Sequence, residues 1–140
     1  MKRTKDNKGF TLVEMLVVIA IIAVLVAIII PTITSASTRS KAAADAANLR
    51  TVLGEANNAT LQGQGIQSVI DANIEAPPSK SFPGASLKLL FEYPGFISIF
   101  YVDGDNYYGL EYFSEVSEKG SSEISTAAPT GDGEWYTFGE

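Results

Sequence analysis

The chain has 140 residues, sets 10 basic side chains against 16 acidic ones for a net charge of −6, and contains neither histidine nor cysteine. Those absences exclude nucleophile–His–acid catalysis, disulfide stapling and zinc sites built on thiolate or imidazole. The acidic balance repels nucleic-acid phosphates, and neither a catalytic residue set nor a cofactor motif is present, so direct nucleic-acid binding and enzymatic activity are not expected.

Residues 1–9 (MKRTKDNKG) hold Lys2, Arg3, Lys5 and Lys8 against a single acid, Asp6, and read as a leader to be removed. From Phe10 to Ile30 only Thr11 and Glu14 are polar, and these 21 residues would form about 31 Å of helix, the thickness of a bilayer's hydrocarbon core. Ten of them, from Val17 to Ile30, are β-branched and make a mediocre helix in water, but in lipid a lone segment satisfies its backbone only as a helix. Fifteen Leu, Ile, Val and Phe residues outweigh the one acid, so the segment inserts. All the leader's cations precede the span, which keeps the leader cytoplasmic and sends the C-terminus across.

Glu14 needs a reason, because a carboxylate in an apolar run is costly unless something pairs with it. Cleavage after Gly9 would give Phe10 a free α-amino group, largely cationic at neutral pH with a pKa near ~7.7. That amine lies one helical turn from Glu14 in the same chain and is equally available from a neighbouring copy. The intermolecular pairing would set the register between packed helices.

Lys8-Gly9 followed by Phe10-Thr11-Leu12-Val13-Glu14 and an apolar run resembles the prepilin signature of type IV pilins and of the pseudopilins of type II secretion and DNA-uptake machines. The resemblance covers Lys8 to Pro31 and fades beyond about Leu61. It implies cleavage after Gly9 by prepilin peptidase, N-methylation of Phe10, and assembly into a helical homopolymer in which Glu14 meets the terminus of an adjacent subunit. It also implies the pilin fold, an α+β arrangement in which a long bent N-terminal helix packs its second half against a C-terminal antiparallel sheet.

Pro31 ends or kinks the apolar segment. Beyond it Ala42, Ala46, Leu49, Leu53 and Ala56 recur at spacings of 4, 3, 4 and 3, one face of a resumed helix, so residues 31–62 are the amphipathic half of a rod some 70 Å long. By resemblance, Pro31 sits beside a section that loses helicity on assembly. Many relatives add a glycine upstream, where this chain has Ala23, so the extent of melting is not given by the motif.

Gly63 and Gly65 punctuate the helix, and residues 63–85 connect it to the head, with Val69, Ile70 and Ile74 suggesting a short helix or docked turn. Residues 86–140 read as an antiparallel sheet. Strands are expected at Leu87–Tyr93, Phe96–Val102, Tyr107–Phe113 and Trp135–Phe138, with a hairpin at Asp103-Gly104-Asp105-Asn106. Residues 115–133 read as a solvated acidic loop with an edge strand at Ile124. Asp103, Asp105, Asn106 and Asp132 are calcium candidates, but the first three lack the later glutamate and flanking helices of a calcium loop, and turn chemistry accounts for all four.

These readings converge on a structural subunit, the major pilin of a type IV pilus. Its partners are copies of itself, prepilin peptidase, the cytoplasmic membrane and the assembly platform, and it moves from single-span precursor to extracellular fibre. The alternatives are a pseudopilin of a secretion or competence system, or a minor pilin.

Overall fold

The computed structural model describes residues 9–71, 76–92, 95–120, 127–130 and 133–138. The chain divides into two compact units, Met1–Thr34 and Ser35–Glu140, and helix α1 (Leu12–Leu61) contributes to both.

In the first unit α1 presents an apolar surface interrupted only by Glu14, Thr32 and Thr34 among its larger side chains. Its large hydrophobic side chains between Leu12 and Ile33 are 46% to 81% exposed. The helix is long and apolar enough to cross a membrane, with a mean hydropathy of 3.3 over its most apolar 18 residues. Pro31 lies inside the helix, so the proline does not end it. Pro31 has no N–H for the carbonyl one turn back. Nearby, the hydroxyls of Thr32 and Thr34 donate to the carbonyls of Ile29 and Ile30 at 2.7 and 3.0 Å.

In the second unit α1 turns amphipathic. Ala42, Asp45, Ala46, Leu49, Val52 and Ala56 are buried, the one-sided stripe that a 3.6-residue repeat produces. Leu53, expected on this face, is only half-buried, and Val52 is buried instead. Gly63 adopts a left-handed φ of 73° just past the helix end, where any other residue would be strained. Helix α2 (Ile66–Asp71) follows in the connection. Ile74 lies outside the described residues.

Strands β1 (Ser86–Glu92), β2 (Phe96–Asp103), β3 (Asn106–Gly109) and β4 (Gly133–Thr137) form one antiparallel sheet in the order β3-β2-β1-β4. Side chains alternate across it. Leu87, Leu89, Ile99 and Tyr101 join the buried stripe of α1 in one hydrophobic cluster, while Lys88, Leu90, Phe100 and Val102 take the other face. The β2–β3 hairpin turns on Gly104, whose φ is 58°, as the Asp-Gly signal predicts.

The expected strand Tyr107–Phe113 is corrected. The chain leaves the sheet at Gly109 and forms helix α3, Leu110–Lys119. The reason lies in the period: Leu110, Phe113 and Val116 repeat every three residues, with Phe113 and Val116 buried and Glu111, Glu115 and Glu118 off that face. Aromatic content suggested β structure, but a strand would have put Phe113 and Val116 on opposite faces of the sheet. The expected acidic loop therefore loses residues 115–119 to α3. Ile124 and Tyr93 lie outside the described residues. The arrangement is α+β and pilin-like: a long N-terminal helix followed by a four-stranded antiparallel sheet.

Candidate processing and assembly site

Gly9 and Phe10 precede α1 and are exposed, Phe10 by 80%. A β-carbon at Gly9 would meet nothing within 4 Å. Among the described residues nothing crowds Gly9.

Thr11 is the residue before the first helical turn, and Glu14 stands three residues on. The Glu14 carboxylate Oε2 accepts from the Thr11 backbone N–H at 2.8 Å, and the Glu14 N–H donates to Thr11 Oγ1 at 3.3 Å. This reciprocal pair is a capping box, which satisfies helix-end donors that lipid could not. The carboxylate also lies at the positive end of the helix dipole, where an anion is favoured. The T-x-x-E spacing is legible in the sequence itself. Within the chain it is Thr11 that engages the carboxylate.

Pro31, the other assembly candidate, lies in α1 about 17 residues beyond Glu14, near the boundary between the two units. The structure does not bring these two residues together.

In the head the structure adds a polar site that the sequence reading missed. Asp45 is fully buried on the α1 stripe, and its carboxylate accepts from Ser79 Oγ at 2.9 Å, Lys80 N at 2.6 Å and Ser81 N at 2.9 Å. Ser79 Oγ in turn accepts from Phe82 N at 2.9 Å. Tyr101 donates its phenol proton to the carbonyl of Pro77 at 2.6 Å. The ring of Phe82 stacks on Tyr108, their centres 3.9 Å apart at 14°. A connection that carried no chemical signal in the sequence is thus pinned to α1 and the sheet at residues 77–82. The only hint was an acid at a stripe position, and such an acid needs several donors to be tolerated. Burial pushes the Tyr101 phenol above its ordinary value, with Asp45 adding to the shift. The exposed Tyr136 phenol is also raised, chiefly because it donates to Glu134 Oε2 at 2.7 Å.

Of the calcium candidates, Asp103 and Asn106 close the hairpin and Asp105 sits in its turn, with Asn106 Nδ2 donating to the Asp103 carbonyl at 3.3 Å. Among the described residues no three acidic side chains converge as a metal site. Asp132 lies outside them.

The family model described as the prokaryotic N-terminal methylation motif matches residues 4–30. No significant match to a curated protein or to a solved structure was found. The matched stretch includes Gly9, Phe10, the capping box and the whole apolar run to Ile30, and it resembles the class III signal of type IV pilins. A methylation motif at the head of a membrane-length helix, followed by an α+β arrangement of pilin type, indicates a type IV pilin-like or pseudopilin protein.

Proposed function

We propose that the protein is the major subunit of a type IV pilus. Prepilin peptidase hydrolyses the Gly9–Phe10 bond, the new amine of Phe10 is methylated, and the subunit leaves the cytoplasmic membrane through the assembly platform into a surface fibre of identical copies. The observation that carries this reading is the first half of α1, an apolar cylinder with its large side chains half or more exposed and one capped carboxylate at its start. Such a surface requires lipid or copies of itself, and transfer from one to the other offers it no water at any stage.

Glu14 is the register sensor. When the methylated amine of a neighbour arrives, the carboxylate is already oriented by Thr11, so little side-chain freedom is lost on pairing. Pro31 marks the section that gives up helical hydrogen bonds as the subunit packs. Removal of the leader takes away four bases and one acid, leaving 6 bases against 15 acids, or −9 by count. That charge keeps heads soluble and apart while the helices draw together.

The test is a mass measurement on the mature N-terminus combined with electron microscopy of shed material. A terminal N-methylphenylalanine at position 10 and long fibres made mainly of this chain are the expected result. A retained leader, or the chain only as a trace component of fibres built from another subunit, would contradict the major-pilin reading.

A further inference from the structure

Strand β2 is longer than the strand that covers its outer edge. β3 pairs only with Phe100–Asp103, and at Gly109 the chain turns away into α3. Among the described residues Phe96–Ile99 therefore have no ladder partner on that side. The hairpin closes on Asp103 opposite Asn106, and the two-residue repeat of backbone direction aims the N–H and C=O groups of Ile99 and Ile97 at this open edge. Beside it lies a cavity of about 510 Å³ whose walls include Ile97, Ile99, Tyr107, Glu111, Tyr112 and Glu115.

An unpaired edge is a template for another strand, and the walls beside it decide which strand fits. Glu111 and Glu115 stand one turn apart on α3 and both face the cavity. Glu115 pairs with Lys119 at 3.0 Å, whereas Glu111 makes no ion pair among the described residues, which leaves this wall negative. The tyrosine rings offer apolar area on which the stem of a lysine or arginine can lie. The shared requirements are an extended backbone, cationic side chains at alternate positions, and no proline facing the edge.

We propose that the open edge of β2 binds an extended basic polypeptide segment as an added strand. Its main chain pairs with Ile97 and Ile99, and one cationic side chain reaches Glu111. A second copy of this chain is a poorer occupant, because each copy carries −6 and the groove wall is itself acidic. This surface is separate from the N-terminal signal and does not depend on the pilus reading.

Full-length protein in micelles of a neutral detergent is titrated with an acetylated, amidated hexapeptide of alternating lysine and valine. Binding is read by calorimetry and by the single tryptophan, Trp135, whose ring centre is 5.5 Å from that of Tyr107 in the groove wall. Saturable binding of one peptide per chain is expected. Two further peptides carry N-methyl groups on alternate amides, one set in each strand register. Only the set that faces β2 should weaken binding, by about tenfold or more, and Glu111→Lys should weaken the parent peptide by about tenfold. A peptide with glutamate in place of lysine should not bind. Absence of saturable binding, equal affinity for both N-methylated peptides, unchanged affinity in Glu111→Lys, or peptide-independent pairing of two copies through this edge would each overturn the proposal.

Discussion

Glutamate and glutamine can both close a capping box, but only glutamate brings a charge, so position 14 separates two functions. Glu14→Gln should leave the start of α1 ordered and cleavage normal while removing the attraction for a neighbouring amine. Glu14→Ala removes the cap as well and should fray the first turn, a loss of about 1 kcal/mol in helix stability visible as faster amide exchange at Leu12–Met15. Asp45 is the residue on which the head's connection depends. In Asp45→Ala the N–H groups of Lys80 and Ser81 lose their acceptor in a part-buried setting, which should lower unfolding free energy by about 3 kcal/mol. Asp45→Asn keeps one oxygen and should lose less, and urea unfolding of the two variants beside wild type checks the order. Tyr101 contributes to the alkaline limit. Its phenol is raised above the unfolded value of roughly 10, so its contribution is fully present below that pH and is lost as pH climbs through the folded value. Tyr101→Phe should flatten this alkaline decline in melting temperature and lower the plateau at neutral pH by about 1 kcal/mol, since the Pro77 carbonyl loses its donor.

At the scale of elements, α1 serves two surroundings with two patterns, and both were legible: the uniform apolar run before Pro31 and the one-sided stripe after it. β1, β2, β4 and the Gly104 hairpin were legible too, because alternation and turn residues agree there. What misled was residue type taken without period. The segment from Leu110 to Lys119 carries tyrosine and phenylalanine that favour strands, yet its apolar positions repeat every three residues, and burial of Phe113 and Val116 follows the repeat. The Asp45 anchor was illegible for a different reason: its partners lie 34 to 36 residues further along the chain, at a distance that local pattern cannot see. Helix α3 ends on Gly120, whose φ is 78° and where a β-carbon would sit 2.5 Å from Arg39 Nε. Gly120→Ala should therefore cost about 1 to 2 kcal/mol in urea unfolding, whereas Gly54→Ala, on an exposed and open position of α1, should be neutral or stabilising. Pro31 belongs to this scale as well. On the assembly reading, Pro31→Ala should leave the head's unfolding unchanged while reducing the yield of fibres.

For the whole molecule, the methylation motif explains why so much apolar surface is carried by a chain that is acidic elsewhere. On the pilus reading the apolar half of α1 is insulated first by lipid and then by its own copies, and apart from Glu14 the charge left after processing falls on the second unit. The signal, the span and the sheet are consistent with one life cycle: membrane precursor, processed subunit, filament component. On that reading the capped carboxylate is the point at which the cycle depends on a single ionised group. The most direct measurement is therefore made on cells expressing Glu14→Gln as their only copy of this chain, with the N-terminal mass of the membrane fraction and the fibre yield determined on the same culture. The account predicts a cleaved terminus beginning at Phe10, normal amounts of subunit in the membrane, and no fibres. Wild-type fibre yield from that strain would contradict it.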